Sequence, residues 1–455
     1  MRACASSSLA ISHHKMRISE LKLHPIAVAD GPLRSSYGLH APYALRTIVE
    51  IKTTDGITGI SETYGGDRPL AALEAVRSRV VGMDPFQLAG FWQCLSAQAE
   101  QDKADASGGR SQTWLVPGEN PLDQHTRTFA AIEVACLDAI GKALGRPLCD
   151  LVGGKVRDRV PFSAYLFYKH AGAGGMGADV RKDDEYGEIM TPDAVVRSCK
   201  QMIAKYGFKE VKLKGGVVPP DEEIAAIKAL RVEFGPKIPL RIDPNCAWSV
   251  DTSVRVGREL KAELADGGYL EDPCAGMDGM AEVRRRLLAE GNETPLASNV
   301  VTTCFAHVPE AKRTDGVQIV LSDPHYWGGI RNQQKLSDLC EVLGLGMSMH
   351  SNNHLGVSLM TMAHAAAVCP SLTYACDTHY PWQTEIDEVV VGGRIKFDQG
   401  SVVIPDKPGL GVELDYDQVA RGVERYDKLP YRKRDDEAEM RKHVDPNWKR
   451  ILPRW

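Results

Sequence analysis

Short apolar runs that each end in a polar or charged residue recur along the middle of the chain. The first run ends at Lys214, and the later ends follow at steps of 29, 28, 28, 24, 27 and 27 residues. These later ends are Asp243, Glu271, Asn299, Asp323, His350 and Asp377. One strand, one helix and two short loops occupy about that length. The pattern therefore predicts a ladder of βα units, as in a parallel β/α barrel with its site at the carboxyl ends of the strands.

The sequence before this ladder follows a different pattern. Alternating apolar and polar residues at 18–26 and 45–51 predict two strands, joined by a Gly-, Ser- and Pro-rich connection that we expect to be mobile. A third strand is predicted at 57–64, and apolar residues recur at helical spacing within 126–144. These elements predict an α+β capping domain over residues 17–150.

The ladder predicts a barrel domain over residues 151–404, with its first strand at 160–167. A long polar segment, residues 170–190, follows this strand and is a candidate lid, because long loops on this face of a barrel are usually functional. Thr191 and Pro192 then supply an N-cap and a first-turn proline for a helix. The predicted fold class is α/β, a (β/α)7–8 TIM-type barrel with an N-terminal capping domain.

The end of the chain is expected to return to the capping domain. Short strands and turns are predicted at 389–395 and 405–411, and a strongly charged tail follows them. This tail carries tyrosines and tryptophans, which provide enough apolar surface to pack on the first domain. The segment at about 405–455 is therefore expected to complete the capping domain.

The amino-acid composition argues against several classes of function. The net charge of −5 is spread along 455 residues, so we expect no nucleic-acid partner. No run of 18 apolar residues occurs, so no membrane span is expected. Eleven cysteines without a Cys-x-x-Cys pair indicate free thiols in a reducing compartment, and we expect a cytoplasmic protein. Residues 1–16 are expected to form a disordered extension, with a targeting segment as the alternative.

Three consecutive strand ends offer oxygen ligands. Asp243, Glu271 and Asn299 together suit a hard divalent ion, most plausibly Mg²⁺, that also takes water and substrate oxygens. An isolated acidic residue at a strand end more often caps the following helix. Three such residues in register beside a pair of lysines favour a metal site.

Lys212 and Lys214 lie two residues apart in the first ladder strand, so their side chains point the same way. Their mutual repulsion, together with that of the ion, favours a neutral amine that acts as a general base. Asp323 and His350 end adjacent strands, so the carboxylate can orient the imidazole as a second acid or base. A base, a divalent metal and a facing acid fit proton abstraction next to a carboxylate, followed by β-elimination of water.

The motifs around these residues resemble the glucarate dehydratases of the enolase superfamily. The matching segments are 212–216, 243–249, 271–274, Asn299, 323–327 and 350–354. The resemblance extends over nearly the whole chain from about Arg17, and an asparagine as third metal ligand is characteristic of this subgroup.

The resemblance implies a role for each of these residues. Lys214 would take the α-proton, Lys212 would steady the enediolate, and His350, oriented by Asp323, would expel the adjacent hydroxyl. Mg²⁺ would bind the three oxygen ligands. The implied substrates are D-glucarate and L-idarate, both giving 5-keto-4-deoxyglucarate, and the implied assembly is a homo-oligomer.

Substrate contacts are also implied by the resemblance. The implied contacts to the distal half of a hexarate are His40, Thr113, Tyr165, Phe167, Asn352, His379 and Arg434. Arg434 would pair with the far carboxylate, a bidentate contact for which a guanidinium is suited. Ser35 stands where the family tends to have asparagine, and the loops 28–40 and 170–190 differ in character. These loops decide which acid sugar fits.

Three other interpretations remain open at this point. The first keeps the chemistry but changes the molecule, to a dehydratase or epimerase of another acid sugar. The second is a weakly active paralogue that associates with an active homologue. The third is a phosphate-binding barrel enzyme that uses Gly215 and Gly216, although no further phosphate loop accompanies them.

Overall fold

The computed structural model describes residues 16–105 and 123–455. Thr113 and nearly all of the predicted extension at 1–16 lie outside the described residues. Within the described residues, no helix combines the length and the hydropathy needed to cross a bilayer.

The first part of the chain forms an antiparallel sheet covered by helices. Its elements are β1 (Ile18–Ala29), β2 (Leu33–Ser35), β3 (Gly38–Leu39), β4 (Tyr43–Thr53), β5 (Thr58–Tyr64), α1 (Asp67–Ala75), α2 (Arg77–Val80), α3 (Leu88–Asp105) and α4 (Asp123–Leu144). The three long strands pair in the order β1-β4-β5, and α4 packs across β5 and β4. The alternation of the strands and the helical spacing of α4 therefore define this layer, as the sequence predicts.

The connection between β1 and β4 differs from its prediction. Instead of a mobile loop, it forms the hairpin β2–β3, and Leu33 and Arg34 of β2 pair antiparallel with the first barrel strand. The tight approach of Gly38, at φ 136°, to the Asp436 carbonyl explains the local glycine, since a Cβ would lie 2.3 Å from that oxygen. The composition of this segment suggests a loop, but contacts with residues far away along the chain give it a defined structure.

The second part of the chain forms the barrel. Its elements are β6 (Arg159–Pro161), β7 (Ala164–Lys169), α5 (Pro192–Tyr206), β8 (Val211–Lys214), α6 (Pro220–Phe234), β9 (Leu240–Asp243), α7 (Val250–Glu259), β10 (Tyr269–Glu271), α8 (Met277–Ala289), β11 (Leu296–Ser298), α9 (His307–Thr314), β12 (Ile319–Ser322), α10 (Ile330–Leu343), β13 (Gly346–Met349), α11 (Gly356–Ala367) and β14 (Ser401–Val403). Strands β7 to β13 pair in parallel and in chain order. The predicted barrel with a capping domain is confirmed.

An extended segment ending at Asp377 closes the barrel. The Asp377 N–H donates to the Met349 carbonyl at 2.8 Å, and the Ser163 N–H donates to the Cys376 carbonyl at 2.9 Å. This segment thus bridges β13 and the start of β7. It takes the place of the eighth strand, so the ladder predicted from the sequence runs round the whole barrel.

Two strand predictions at the amino-terminal rim are wrong in detail. The first barrel strand begins at Ala164 rather than at residue 160, because β6 pairs antiparallel with β14. Instead of strands at 389–395 and 405–411, this region contains β14 and three isolated bridges, which join Val390 to Leu414, Asp398 to Ser401 and Gly409 to Pro147. Pairing between distant segments decides these boundaries, and the local sequence pattern does not reveal that pairing.

The Thr191 cap of α5 is confirmed, with its hydroxyl accepting from the Ala194 N–H at 3.3 Å.

The tail packs against the capping domain. Helices α12 (Tyr416–Lys428) and α13 (Asp436–His443) follow the barrel, and α12 lies on β1. The Tyr431 hydroxyl accepts from the backbone N–H of Tyr43 and donates to its carbonyl, both at 3.1 Å. Met440 and Trp448 form a small apolar cluster with Leu39. The tail thereby reaches the hairpin that borders the barrel mouth.

Glu133 of α4 is fully buried beside the first turn of α10, with its carboxylate 3.5 Å from Nε of Arg331. Burial raises the pKa of the Glu133 carboxyl to about 7, although the charge of Arg331 opposes this. The folded protein therefore holds this proton more tightly than the unfolded chain. The contribution of this site to the free energy of unfolding therefore falls by at most about 3 kcal/mol as the pH rises from about 4.5 to about 7.

Glu133→Gln removes this titration while keeping the volume of the side chain. We expect the melting temperature of the variant minus that of the unmodified protein to increase by a few degrees between pH 4.5 and pH 7 and then to level off. Differential scanning calorimetry at several pH values measures this difference. Glu222→Gln, at an exposed position of α6, is the control and should give a constant difference. A constant difference for Glu133→Gln as well would contradict the argument.

Candidate active site

The two lysines of β8 project into a buried cluster of carboxylates. Nζ of Lys212 lies 2.6 Å from Glu271 Oε2, 2.6 Å from Asp377 Oδ2 and 3.3 Å from Asp243 Oδ2. Nζ of Lys214 donates to Asp243 Oδ2 at 2.7 Å. Both ammonium groups therefore point to the same side of the strand, as the spacing predicts.

The surroundings of the two lysines differ. Burial by itself would lower the pKa of Lys212, but Asp377 and Glu271 outweigh it and raise that pKa well above its usual range. Burial likewise opposes ionisation of Asp243, but Lys214 and Lys212 lower the pKa of this carboxyl. Lys212 is thus a fixed cation and not the neutral amine expected of the pair. Lys214, which contacts one carboxylate and lies nearer the opening, is the better placed base.

The charge of this cluster fits a divalent cation. Three carboxylates, those of Asp243, Glu271 and Asp377, are fully buried around two ammonium groups, and the buried Asp272 lies next to them and binds the Asn299 N–H at 2.9 Å. Burial and the charge of Asp243 raise the pKa of Glu271 well above its usual range, which indicates that negative charge is not fully neutralised here. A hard cation with oxygen ligands would offset this excess.

Asn299 is the candidate third ligand. Within residues 16–105 and 123–455, no three His, Cys, Asp or Glu side chains form a group that could hold a metal, so a ligand set here needs the amide. One terminal atom of the Asn299 amide lies 3.0 Å from Asp272 and 3.2 Å from Glu271, and the other lies 3.2 Å from Nε2 of His350. Hydrogen bonding alone favours nitrogen beside the carboxylates, whereas a cation held there would take the amide oxygen. Asn299 therefore lies between the carboxylates and the imidazole.

The histidine across the barrel mouth is oriented by a carboxylate. Nδ1 of His350 lies 3.2 Å from Asp323 Oδ2, and Nδ1 of His325 lies 2.6 Å from the other oxygen. Burial would raise the pKa of Asp323, but the charges and hydrogen bonds of His325 and His350 lower it far below its usual range. Asp323 is thus an anion that fixes Nδ1 of His350 and leaves Nε2 facing the site.

Four aromatic rings form one wall beside the lysines. Ring centroids of Tyr165 and Phe167 are 4.6 Å apart, and that of His379 lies 5.0 Å from each of them. His40, from the capping domain, packs on Phe167 at 6.0 Å. Nζ of Lys212 lies 4.7 Å from the Tyr165 ring centroid. The structure thus brings these four predicted substrate contacts together.

Arg434 reaches the site from the tail. Its Nη1 donates to Asp30 Oδ2 at 3.1 Å and to Asn353 Oδ1 at 3.0 Å, while Asp436 binds the other edge of the guanidinium. Asp30 also binds Nδ1 of His40 at 3.0 Å. Carboxylates therefore fix the guanidinium next to His40, and its side chain remains 28% exposed.

Asn352 lies on the capping-domain side of His350. Its Nδ2 donates to the Tyr64 hydroxyl at 2.8 Å, and that hydroxyl lies 3.4 Å from Asp323 Oδ2. The structure thus places Asn352 near the Asp323–His350 pair. Among the predicted site residues, only Thr113 cannot be located, because it lies outside the described residues.

Several residues of this site escape sequence reasoning. Asp377 ends the last ladder segment, so its position at the barrel mouth could be predicted from the sequence. Its contact with Lys212 could not, because that contact depends on closure of the barrel. His325 follows Asp323 by two residues in an Asx-type turn, since its N–H donates to Asp323 Oδ1 at 2.7 Å, and this spacing is a usable signal. Asp30 and Tyr64 come from the capping domain and carry no local signal.

Family comparisons cover both parts of the chain. Residues 40–153 match the mandelate racemase / muconate lactonizing enzyme N-terminal domain, and residues 194–419 match the enolase C-terminal domain-like family. A probable glucarate dehydratase from Streptomyces coelicolor is 46% identical over 97% of this chain and 99% of its own length. An arabinonate dehydratase from Saccharolobus solfataricus is 27% identical over 80% of this chain and 87% of its own.

Solved structures give the same result. An enolase from Pseudomonas fluorescens, with bound magnesium, potassium and tartrate, has a TM-score of 0.88 and 43% identity, and the match covers 97% of this chain and all of that one. An enolase from Thermobispora bispora with magnesium and formate has a TM-score of 0.86 and 45% identity over 97% of this chain and all of that one.

The fold and the family matches define a barrel enzyme with a capping domain. The chain belongs to the enolase superfamily, and within it to the glucarate dehydratase-like subgroup of hydro-lyases. The resemblance seen in the sequence motifs is confirmed.

Proposed function

We propose that the protein is a Mg²⁺-dependent acid-sugar dehydratase that converts D-glucarate, and L-idarate, to 5-keto-4-deoxyglucarate. The observation that carries the proposal is the arrangement of Lys214 and His350, which lie across the barrel mouth from each other with the oxygen ligands between them. The identity to the Streptomyces coelicolor protein supports D-glucarate as substrate.

Asp243, Glu271 and Asn299 would hold the magnesium ion. When bound, the ion stabilises the negative charge that develops on the substrate carboxylate. Lys214 removes the α-proton at its Nζ. Lys212, held as a cation by Asp377 and Glu271, lies beside the enediolate oxygens and offsets their charge.

His350 completes the elimination from the other side. Its Nε2 faces the site because Asp323 holds Nδ1. Protonated Nε2 donates to the hydroxyl next to the α-carbon, and water leaves. For the epimer with the opposite α-configuration, the same nitrogen can instead abstract the proton, which accounts for two substrates and one product.

The distal half of the diacid would lie between the aromatic wall and Arg434. Asp30 holds both His40 and Arg434. These two side chains are placed to bind the hydroxyls and the far carboxylate of the substrate there.

The experiment that tests the proposal uses purified protein with Mg²⁺ and a panel of D-glucarate, L-idarate and galactarate. Semicarbazide detects the 2-keto acid, and NMR in D₂O detects exchange of the α-proton. We expect keto acid from D-glucarate and L-idarate. Keto acid from galactarate alone would show that galactarate, and not D-glucarate, is the substrate. Exchange of the α-proton without keto acid from any compound would favour the epimerase alternative.

Arg434→Met tests the assignment of the distal carboxylate. Loss of a charge-assisted contact of about 1.5–3 kcal/mol is expected to raise KM for D-glucarate about 10- to 100-fold, with a smaller effect on kcat. Arg432→Met is the matched control, because that guanidinium donates to backbone carbonyls of its own turn, at Leu429 and Tyr431. Equal changes in KM for the two variants would show that Arg434 acts only by holding the tail.

A further inference from the structure

A second cavity lies behind the aromatic wall of the active site. It has a volume of about 590 Å³, within the range of small-molecule sites, and it is bordered by the long loop 170–190 and by the segments 381–385 and 394–397. We call it the side cavity. No residue to which the proposed reaction assigns a role lines it.

Trp382 separates the side cavity from the active site. Its indole Nε1 donates to the Tyr165 carbonyl at 2.8 Å, and its ring lies 6.0 Å from that of Phe167. On the cavity side, Tyr186 packs on Trp382 at 4.8 Å. The side cavity is therefore a distinct space that shares one wall with the substrate site.

The floor of the side cavity is aromatic. Tyr186 and Trp382 form one part of it, and Tyr206 and Phe397, whose ring centroids are 5.6 Å apart, form the other. Aromatic faces of this kind give a large apolar contact area at fixed geometry. They suit a ligand with one flat apolar face, such as the C–H face of a sugar ring.

An unpaired amide lies beside this floor. The Gln383 side chain is 3% exposed and lines the cavity, yet neither its Oε1 nor its Nε2 has a hydrogen-bond partner among the described residues. A buried amide without partners is destabilising, because its donor and acceptor have lost their hydrogen bonds to water. A ligand hydroxyl, which both donates and accepts, would satisfy it.

The charges around the side cavity favour a single negative charge on the ligand. Lys169, Arg181 and Lys205 are each paired with a carboxylate. Arg394 is not: its guanidinium donates to the carbonyls of Gln383, at 2.9 Å, and Tyr380 and lies over the Tyr380 ring, with no carboxylate partner among the described residues.

Lys396 adds a second cation at the edge of the cavity, without an ion pair in the described part of the chain. The exposed Asp183 and Glu385 also border the cavity and oppose a more highly charged anion. The side chains that line the cavity include five basic and four acidic groups, and this net charge of +1 would be neutralised by one ligand carboxylate rather than by two.

We propose that the side cavity binds a monoanionic sugar acid in ring form, that is, a hexuronate or an aldarolactone. The ring would stack on Trp382 and Tyr186, a hydroxyl would bind the Gln383 amide, and the carboxylate would pair with Arg394. This site is separate from the reaction centre and does not depend on the identity of the substrate there.

The test measures binding of D-glucuronate and of D-glucaro-1,4-lactone to the full-length protein in the presence of Mg²⁺, by isothermal titration calorimetry and by saturation-transfer NMR. We expect binding of at least one probe, weakened 10-fold or more by Arg394→Met and by Gln383→Leu. Both variants should retain turnover, which shows that they fold. Arg434→Met, which alters the active site, should leave this binding unchanged.

Three results would overturn the proposal. These are no binding of either probe to the unmodified protein, unchanged binding in both Arg394→Met and Gln383→Leu, and a loss of binding in Arg434→Met alone. The last would place the ligand in the active site. If one side-cavity variant fails to fold, the other decides.

Discussion

Lys214→Ala is expected to lower kcat for D-glucarate by about 10²- to 10⁴-fold, the usual contribution of a positioned general base. Nζ of Lys214 contacts a single carboxylate and faces the opening of the barrel, whereas Lys212 is held by three. Lys212, the neighbouring amine, is held as a cation and is therefore not available to take the α-proton. The substitution also removes one of the two cations that pair with Asp243.

The measurement combines keto-acid formation with exchange of the α-proton in D₂O. In Lys214→Ala both signals from D-glucarate should fall together, because both begin with proton removal by Nζ. Lys200→Ala, which breaks an exposed ion pair with Glu233, is the matched control and should have unchanged kinetics. A Lys214→Ala enzyme that retains more than a tenth of either signal would exclude Lys214 as the base.

The ladder explains why the barrel and the polar residues at its mouth could be predicted. In a parallel barrel, every strand ends at the same rim, so a polar residue at each strand end must face the same mouth. Position along the chain therefore fixed the placement of Lys214, Asp243, Glu271 and His350 without knowledge of any contact. The same argument reached Asp377, although it gave no role to that carboxylate.

Residues contributed by other parts of the fold could not be found in this way. Asp30 follows a strand of the capping domain in a Gly- and Pro-containing segment. Only its contacts with His40 and with Arg434, which lies 404 positions away, show that it belongs to the site. The hairpin β2–β3 has the composition of a loop, but pairing with β7 orders it. Pairing across long sequence distances decides such features, and a local pattern carries no information about it.

The capping domain also supports the segment that follows His350, through contacts with backbone N–H groups. Glu62 of β5 pairs with Arg46 at 2.8 Å and accepts hydrogen bonds from the N–H groups of Leu355, at 3.0 Å, and Ser358, at 2.9 Å. It thereby caps α11, which starts shortly after His350. Glu62 thus helps to hold the segment between His350 and α11 with a carboxylate from the other domain.

His350→Gln separates the two halves of the proposed reaction. Lys214 is intact in this variant, so the α-proton of D-glucarate should still exchange with D₂O. Keto-acid formation should fall by about 10²- to 10⁴-fold, because no group protonates the departing hydroxyl. With L-idarate, whose α-proton faces Nε2 of His350, both exchange and keto acid should be lost.

This pattern depends on the side from which each substrate is deprotonated, so it cannot arise from general damage to the site. His24→Gln, at a partly exposed histidine that pairs with Glu50 at 2.6 Å, is the matched control and should change neither signal with either substrate. If His350→Gln instead lost exchange with D-glucarate as well, the two residues would act as one unit and the stepwise assignment would be wrong. Retained keto acid from D-glucarate would mean that another group, of which His325 beside Asp323 is the nearest described candidate, supplies the proton.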